Sequence, residues 1–208
     1  MAHLAYLHGF ASNSKTKKGR AIADAFEAQG HSMAIVDLNR PTFSTLTLTA
    51  QLEAVDAWAR DKDRVSFVGS SMGGWVATRW AELNPSKIER LVLLAPAFDM
   101  SARWPKRIGA QGMTAWRTHG ALPFPDGDGV PTPVHWGFIE DAITHVATPG
   151  SPAPTLIIHG RQDAVVPIEG SRAWVETHAQ ATLIEVDDQH ELMGSLPLVI
   201  AESLRFLL

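Results

Sequence analysis

Residues 69–73 read Gly-Ser-Ser-Met-Gly, and a hydroxyl framed by glycines is the first place in this chain where nucleophilic chemistry could sit. Only Ser71 has a glycine two positions away on each side. For Ser70 those positions are Val68 and Met72, whose side chains would crowd a tight turn. Small flanks matter because a nucleophilic serine on a strand-to-helix turn brings two backbone segments close together. Such a turn lifts the hydroxyl clear of a sheet. It also points the next backbone N–H, that of Met72, at the carbonyl under attack, from a helix N-terminus that favours developing negative charge. A Gly/Ser-rich turn of no chemical consequence has the same composition. Context separates the two: an apolar run precedes Gly69 and a helical pattern follows Ser71, which is the setting the chemistry requires. Ser71 is the expected nucleophile.

A serine hydroxyl needs a base to take its proton and an acid to orient that base, in the chain order serine, acid, histidine for this kind of turn. Nine histidines compete. His190, in "IEVDDQHELMG", follows the last apolar run on a loop from which an imidazole can reach Ser71, and it is the expected base. His159, in "IIHGRQDAVVP", closes the preceding run and reads as structural, hydrogen-bonded near its loop. Asp163, four residues further on, has the right chain order for the acid, with Asp99 as the alternative placement. Asp187 and Asp188 adjoin His190, and neighbours in an extended loop point apart, so they are expected to face solvent or brace the loop. A second N–H for the oxyanion is expected after the first strand, where "YLHGF" supplies the Phe10 amide, Gly9 permits the turn, and His8 packs or braces it.

The elements that must position these residues are short apolar runs alternating with helical patterns. Strands are expected at 4–7, 32–38, 64–68, 88–94, 155–159 and 182–186. Most are rich in Val, Ile and Leu without clean alternation, as in strands covered on both faces. Helices are expected at 16–29, closing on Gly30, and at 46–60, with Leu48, Leu52, Val55 and Ala59 on one face. Others are expected at 72–83, 168–178 and 194–207. Strands alternating with helices imply right-handed crossovers and a parallel sheet in one domain over 1–208. Residues 99–150 break the rhythm. A structureless loop of that length is unusual in a compact domain. Its middle, "LPFPDGDGVPTPV", reads as a hairpin and 134–146 as a helix, and the whole is expected to cap the carboxyl ends of the strands, where open α/β sheets bind ligands.

Bulk composition narrows the function classes. The chain has 208 residues, 45% hydrophobic and 19% charged, enough for one domain with a sizeable core. Its net charge of −4 comes from interspersed acids and bases, so neither a nucleic-acid partner nor an anionic lipid surface is expected. The absence of cysteine rules out disulfides, thiolate metal sites and a cysteine nucleophile. No run is long enough to span a bilayer and the first residues lack a signal-peptide pattern, so a cytoplasmic location is expected. Without a phosphate-binding or dinucleotide-binding glycine motif, or a His-Glu-x-x-His pair, neither metal nor organic cofactor is expected.

Taken together, "YLHGFASNSKTKK", "VGSSMGGW", "LLAPAF", "IIHGRQDAVVP" and "DDQHEL" resemble the α/β-hydrolase superfamily, and within it the small YqiA-like serine esterases. "VGSSMGGW", "HGRQDAVVP" and "FIEDA" also look like its palmitoyl-thioesterase branch. The resemblance covers nearly all the chain except the cap. It implies a Ser71–Asp163–His190 triad, oxyanion N–H groups from Phe10 and Met72, and cleavage of carboxylic esters or thioesters through an acyl-enzyme. It also implies the family fold with a truncated, mostly parallel sheet of about six strands in the order 2-1-3-4-5-6, the first two antiparallel strands missing.

The expected partner is a small ester or thioester. Trp75, Trp104, Trp116, Trp136, Phe138, Phe10 and Met193 could line an apolar acyl pocket, which would favour longer acyl chains, or could simply pack the cap onto the sheet. The same triad could serve a C–C hydrolase, a lyase or a peroxidase. A non-catalytic ligand-binding homologue is the more distant alternative.

Overall fold

The computed structural model describes residues 3–208. The first half runs β1 (His3–Leu7), α1 (Lys17–Glu27), β2 (Met33–Val36), α2 (Leu48–Ala59), β3 (Val65–Ser70), α3 (Met72–Leu83) and β4 (Ile88–Leu94). An insertion follows, made of α4 (Met100–His119), β5 (Ala121–Pro125), β6 (Pro131–His135) and α5 (Gly137–Ala142). The chain then completes the sheet with β7 (Thr155–Gly160), α6 (Glu169–Glu176), β8 (Ala181–Val186) and α7 (Leu196–Leu207).

Six strands form one sheet in the order β2-β1-β3-β4-β7-β8, every neighbouring pair parallel. All residues of β3 and β7 are buried, which explains why these runs lack a polar face in the sequence. Alternate side chains feed two separate cores. Leu7, Phe67, Leu91, Leu93 and Ile157 point towards α2, α3 and the insertion. Tyr6, Val68, Val92, Leu94 and Ile158 point to the other face, where Ile22 and Phe26 of α1 and Val199 of α7 cover them. Leu48, Leu52, Val55 and Ala59 of α2 are all buried, and the Thr47 hydroxyl accepts from the Ala50 N–H to start that helix.

The insertion departs from expectation in two places. Residues 100–119 form a helix that the sequence pattern does not announce: Pro105 lies inside it and Gly109, at φ 71°, kinks it. The helix expected at 134–146 is only six residues long. Val134 and His135 are taken by the β5–β6 hairpin, where they face Leu122 and Ala121, and Gly137 begins the helix two residues later. Phe10, Trp104, Trp116, Phe124 and Phe138 interlock with ring centroids 4.9–6.3 Å apart, joining insertion and sheet in one aromatic core. Among the described residues no helix is long and apolar enough to cross a membrane.

Candidate active site

Ser71 sits between the end of β3 and the start of α3 with φ 54° and ψ −118°, a conformation that L-residues rarely adopt. The surroundings over-determine it. Its N–H donates to the Leu94 carbonyl (2.9 Å), and its own carbonyl accepts from the Gly74 (2.9 Å) and Ala97 (3.0 Å) N–H groups. The flanking glycines are needed for space: a Cβ on Gly69 would come within 2.6 Å of the Gly73 carbonyl oxygen, and one on Gly73 would collide with the Leu7 carbonyl. Ser70 is buried at the strand end beside the Tyr6 hydroxyl, away from solvent.

Three strand ends bring the remaining groups to Ser71. His190, after β8, places Nε2 3.0 Å from Ser71 Oγ and Nδ1 2.7 Å from Asp163 Oδ2. A carboxylate only accepts, so Nδ1 carries the proton and Nε2 is free to accept from the serine hydroxyl. Asp163, after β7, has a fully buried side chain whose Oδ1 accepts from the Val165 (2.8 Å) and Val166 (2.7 Å) N–H groups. Burial alone would raise its pKa. Hydrogen bonds from His159, His190 and the Val166 N–H outweigh burial and hold the carboxyl well below the usual range. Asp99 is elsewhere engaged, its Oδ1 accepting from Thr148 (2.8 Å). Asp187 accepts from Gln162, and Asp188 from the Gln189 and Ser195 N–H groups, bracing the loop that carries His190.

The two residues expected to supply the oxyanion N–H groups both border the cavity at Ser71. Phe10 and Met72 line one cavity with Ser71, and among the described residues neither N–H has an acceptor. The first N–H groups of a helix have no partner within it, which leaves Met72 available. His8 is a brace: fully buried, it donates from Nδ1 to the Gly9 carbonyl (2.9 Å) and accepts at Nε2 from Leu38 N–H (3.0 Å). Burial lowers its pKa, consistent with a neutral ring.

The cavity has a volume of about 660 Å³. Its apolar wall includes Phe10, Met72, Met100, Trp104 and Val166, while Arg103, Lys106 and Arg107 of α4 contribute cations. Of the aromatic and methionine residues expected to hold substrate, Phe10 and Trp104 line it. The others lie outside its lining, for packing reasons. Phe138 is buried against Trp104 and Trp116, and Trp136 packs on Trp116. Trp75 is buried with its indole N–H donating to the Val146 and Ala147 carbonyls, and Met193 is half exposed.

Two supports escape a reading of the motifs alone. His159 is more than a loop brace. Its Nε2 contacts both the Val166 carbonyl (2.8 Å) and Asp163 Oδ2 (3.2 Å), so Nε2 carries the proton and Nδ1 accepts from the Ser171 hydroxyl (2.8 Å). Lys18 of α1 is buried, with Nζ donating to the carbonyl of Glu191, the residue after His190 (2.9 Å). A signal for it exists: Lys18, Ile22 and Phe26 share the buried face of α1 at four-residue spacing.

The parallel sheet, crossover order and serine turn define an α/β-hydrolase fold. Solved structures agree: a putative hydrolase from Agrobacterium vitis superposes with TM-score 0.82 at 21% identity, covering 99% of this chain and 87% of that one. One of the metagenome-derived lipolytic enzymes LipS and LipT superposes with TM-score 0.73 at 21% identity, over 99% of this chain and 93% of the other. More particularly, residues 3–200 match the model of the uncharacterised protein family UPF0227, and the chain belongs to that family. It is also 39% identical over 64 residues to the abhydrolase domain-containing protein abhd-5.2 of Caenorhabditis elegans, a match covering 28% of this chain and 14% of that protein's length.

Proposed function

We propose that the protein is a serine hydrolase that cleaves carboxylic esters or thioesters through an acyl-enzyme. The observation that carries the reading is the unbroken relay from Ser71 Oγ through His190 to Asp163, at 3.0 and 2.7 Å. His190 Nε2 takes the hydroxyl proton as Ser71 Oγ bonds to the substrate carbonyl carbon, and Asp163 stabilises the imidazolium that results. The carbonyl oxygen, now negative, rests on the Phe10 and Met72 amides. As the tetrahedral centre collapses, the carbon–oxygen or carbon–sulfur bond breaks, and the departing alcohol or thiol takes the proton from His190. Water then repeats the sequence on the acyl-enzyme, releasing the acid and restoring the serine. Residues 99–150 act as a cap over this site within a single domain. The likeness in fold to lipolytic enzymes supports an ester substrate.

A fluorophosphonate probe tests the reading, since it reacts only with an activated serine. The wild type should be labelled stoichiometrically at Ser71, and Ser71→Ala should abolish labelling. Undiminished labelling of the Ala variant would sink the assignment.

A further inference from the structure

We propose that the cavity beside Ser71 takes an ester or thioester carrying an anionic group, a carboxylate or a phosphate, which Arg103 binds through its two Nη nitrogens. The proposal deepens the hydrolase reading and rests on it.

The guanidinium is built into the wall. Arg103 Nε donates to the Phe98 carbonyl (2.7 Å), which fixes the plane of the group near the start of α4. Nη2 lies across from Gly170, another wall residue, close enough that a Cβ there would come within 3.4 Å. Among the described residues neither Nη has a hydrogen bond or an ion pair, so one edge of a fixed fork is left without a partner. Such a fork matches the two oxygens of a carboxylate or phosphate, and its weak hydration suits partial burial. Burial lowers the Arg103 pKa from its ordinary value, a sign that the charge is incompletely solvated there.

The neighbouring charges favour the same ligand. Lys106 and Arg107 follow on the same stretch of α4 and line the cavity, with no acidic partner among the described residues; Arg107 lies over the Trp104 ring (5.3 Å). Of the two acids on the cavity wall, Glu169 is paired with Arg172 (3.5 Å), while Asp99 accepts from the Thr148 hydroxyl and keeps its charge. Three unpaired cations, Arg103, Lys106 and Arg107, therefore face one unpaired carboxylate, Asp99, on the wall, in a chain whose net charge is −4. An anion held at Arg103 would orient the rest of the substrate along the apolar wall towards Ser71.

Two p-nitrophenyl esters of equal chain length separate charge from size: the neutral pentanoate and the anionic hydrogen glutarate. The wild type should prefer the glutarate in kcat/KM by roughly tenfold, the scale of one charge-assisted contact. Arg103→Gln should remove most of that preference and Arg103→Lys should retain part of it. Glu169→Gln, at an exposed position, should raise the preference, because Arg172 loses this acidic partner and the wall gains net positive charge. A ratio unchanged in Arg103→Gln would overturn the proposal, while pentanoate turnover and Ser71 labelling would leave the hydrolase reading intact. Binding tests the site without any turnover. Glutarate and inorganic phosphate, titrated into Ser71→Ala against tryptophan fluorescence, should bind, with the tighter anion marking the source, and Ser71→Ala/Arg103→Gln should bind both at least roughly tenfold more weakly. Equal binding by the two variants, or none by Ser71→Ala, would count against the proposal whatever the enzyme's activity.

Discussion

Asp163 Oδ2 faces two imidazoles, Nδ1 of His190 at 2.7 Å and Nε2 of His159 at 3.2 Å. With Oδ1 taken by two backbone N–H groups, the carboxylate can neither rotate nor leave. Asparagine there would present an amide nitrogen to some of these donors and would lose the negative charge that stabilises an imidazolium. Asp163→Asn should lower kcat by roughly 10⁴, the scale such a change produces where a triad acts. Asp99→Asn leaves the relay intact and should change kcat far less. Steady-state rates on p-nitrophenyl butyrate decide between the two acids, and a crippled Asp99→Asn enzyme would move the acid to that position.

A hydrogen bond from Lys18 Nζ to the Glu191 carbonyl ties the loop bearing His190 to helix α1. Lys18→Met would keep the packing against the Ile22 face but leave that carbonyl without its donor. We expect a stability loss of about 1–3 kcal/mol for the missing charged donor, read as a shift in urea midpoint. A fall in kcat/KM of roughly tenfold should accompany it as the imidazole loses its fixed position. Unchanged kinetics in a destabilised protein would confine Lys18 to structure. At this scale the sheet was legible, because strands buried on both faces are written as unbroken apolar runs, and Met72–Leu83 was readable to the residue because the serine turn starts it and Asn84-Pro85 stops it. Helix α4 was not legible: Pro105, Gly109 and Gly112 are breakers by local chemistry, and packing of Trp104 and Trp116 into the aromatic core overrides them. Ser71, His190 and Asp163 could be found from order and flanking glycines. Lys18 and Arg103 carry no motif, since their roles depend on which carbonyl lies across from them in space.

For the molecule as a whole, acid is the adverse condition. His8 and Asp163 both have folded-state pKa values below their ordinary ones, so each favours the fold at higher pH. The His8 contribution is complete above about pH 6.5 and is lost as the pH falls below it, because the unfolded chain then binds a proton that the buried ring resists. That of Asp163 is complete above about pH 3.9 and is lost as the pH falls towards its depressed value. The urea midpoint should therefore drop between pH 7.5 and 5.5. The drop should shrink in His8→Gln, whose side-chain carbonyl can still accept from Leu38. An equal drop in both proteins would clear His8 of the effect. The aromatic core has an optical consequence. Trp104 and Trp116 lie 5.3 Å apart and Trp116 and Trp136 5.9 Å apart, so excitation energy passes readily among them. Light absorbed by any of the three is pooled in the insertion, where Trp104 lines the cavity beside Ser71, and the protein thereby carries a built-in emitter in the wall of that cavity.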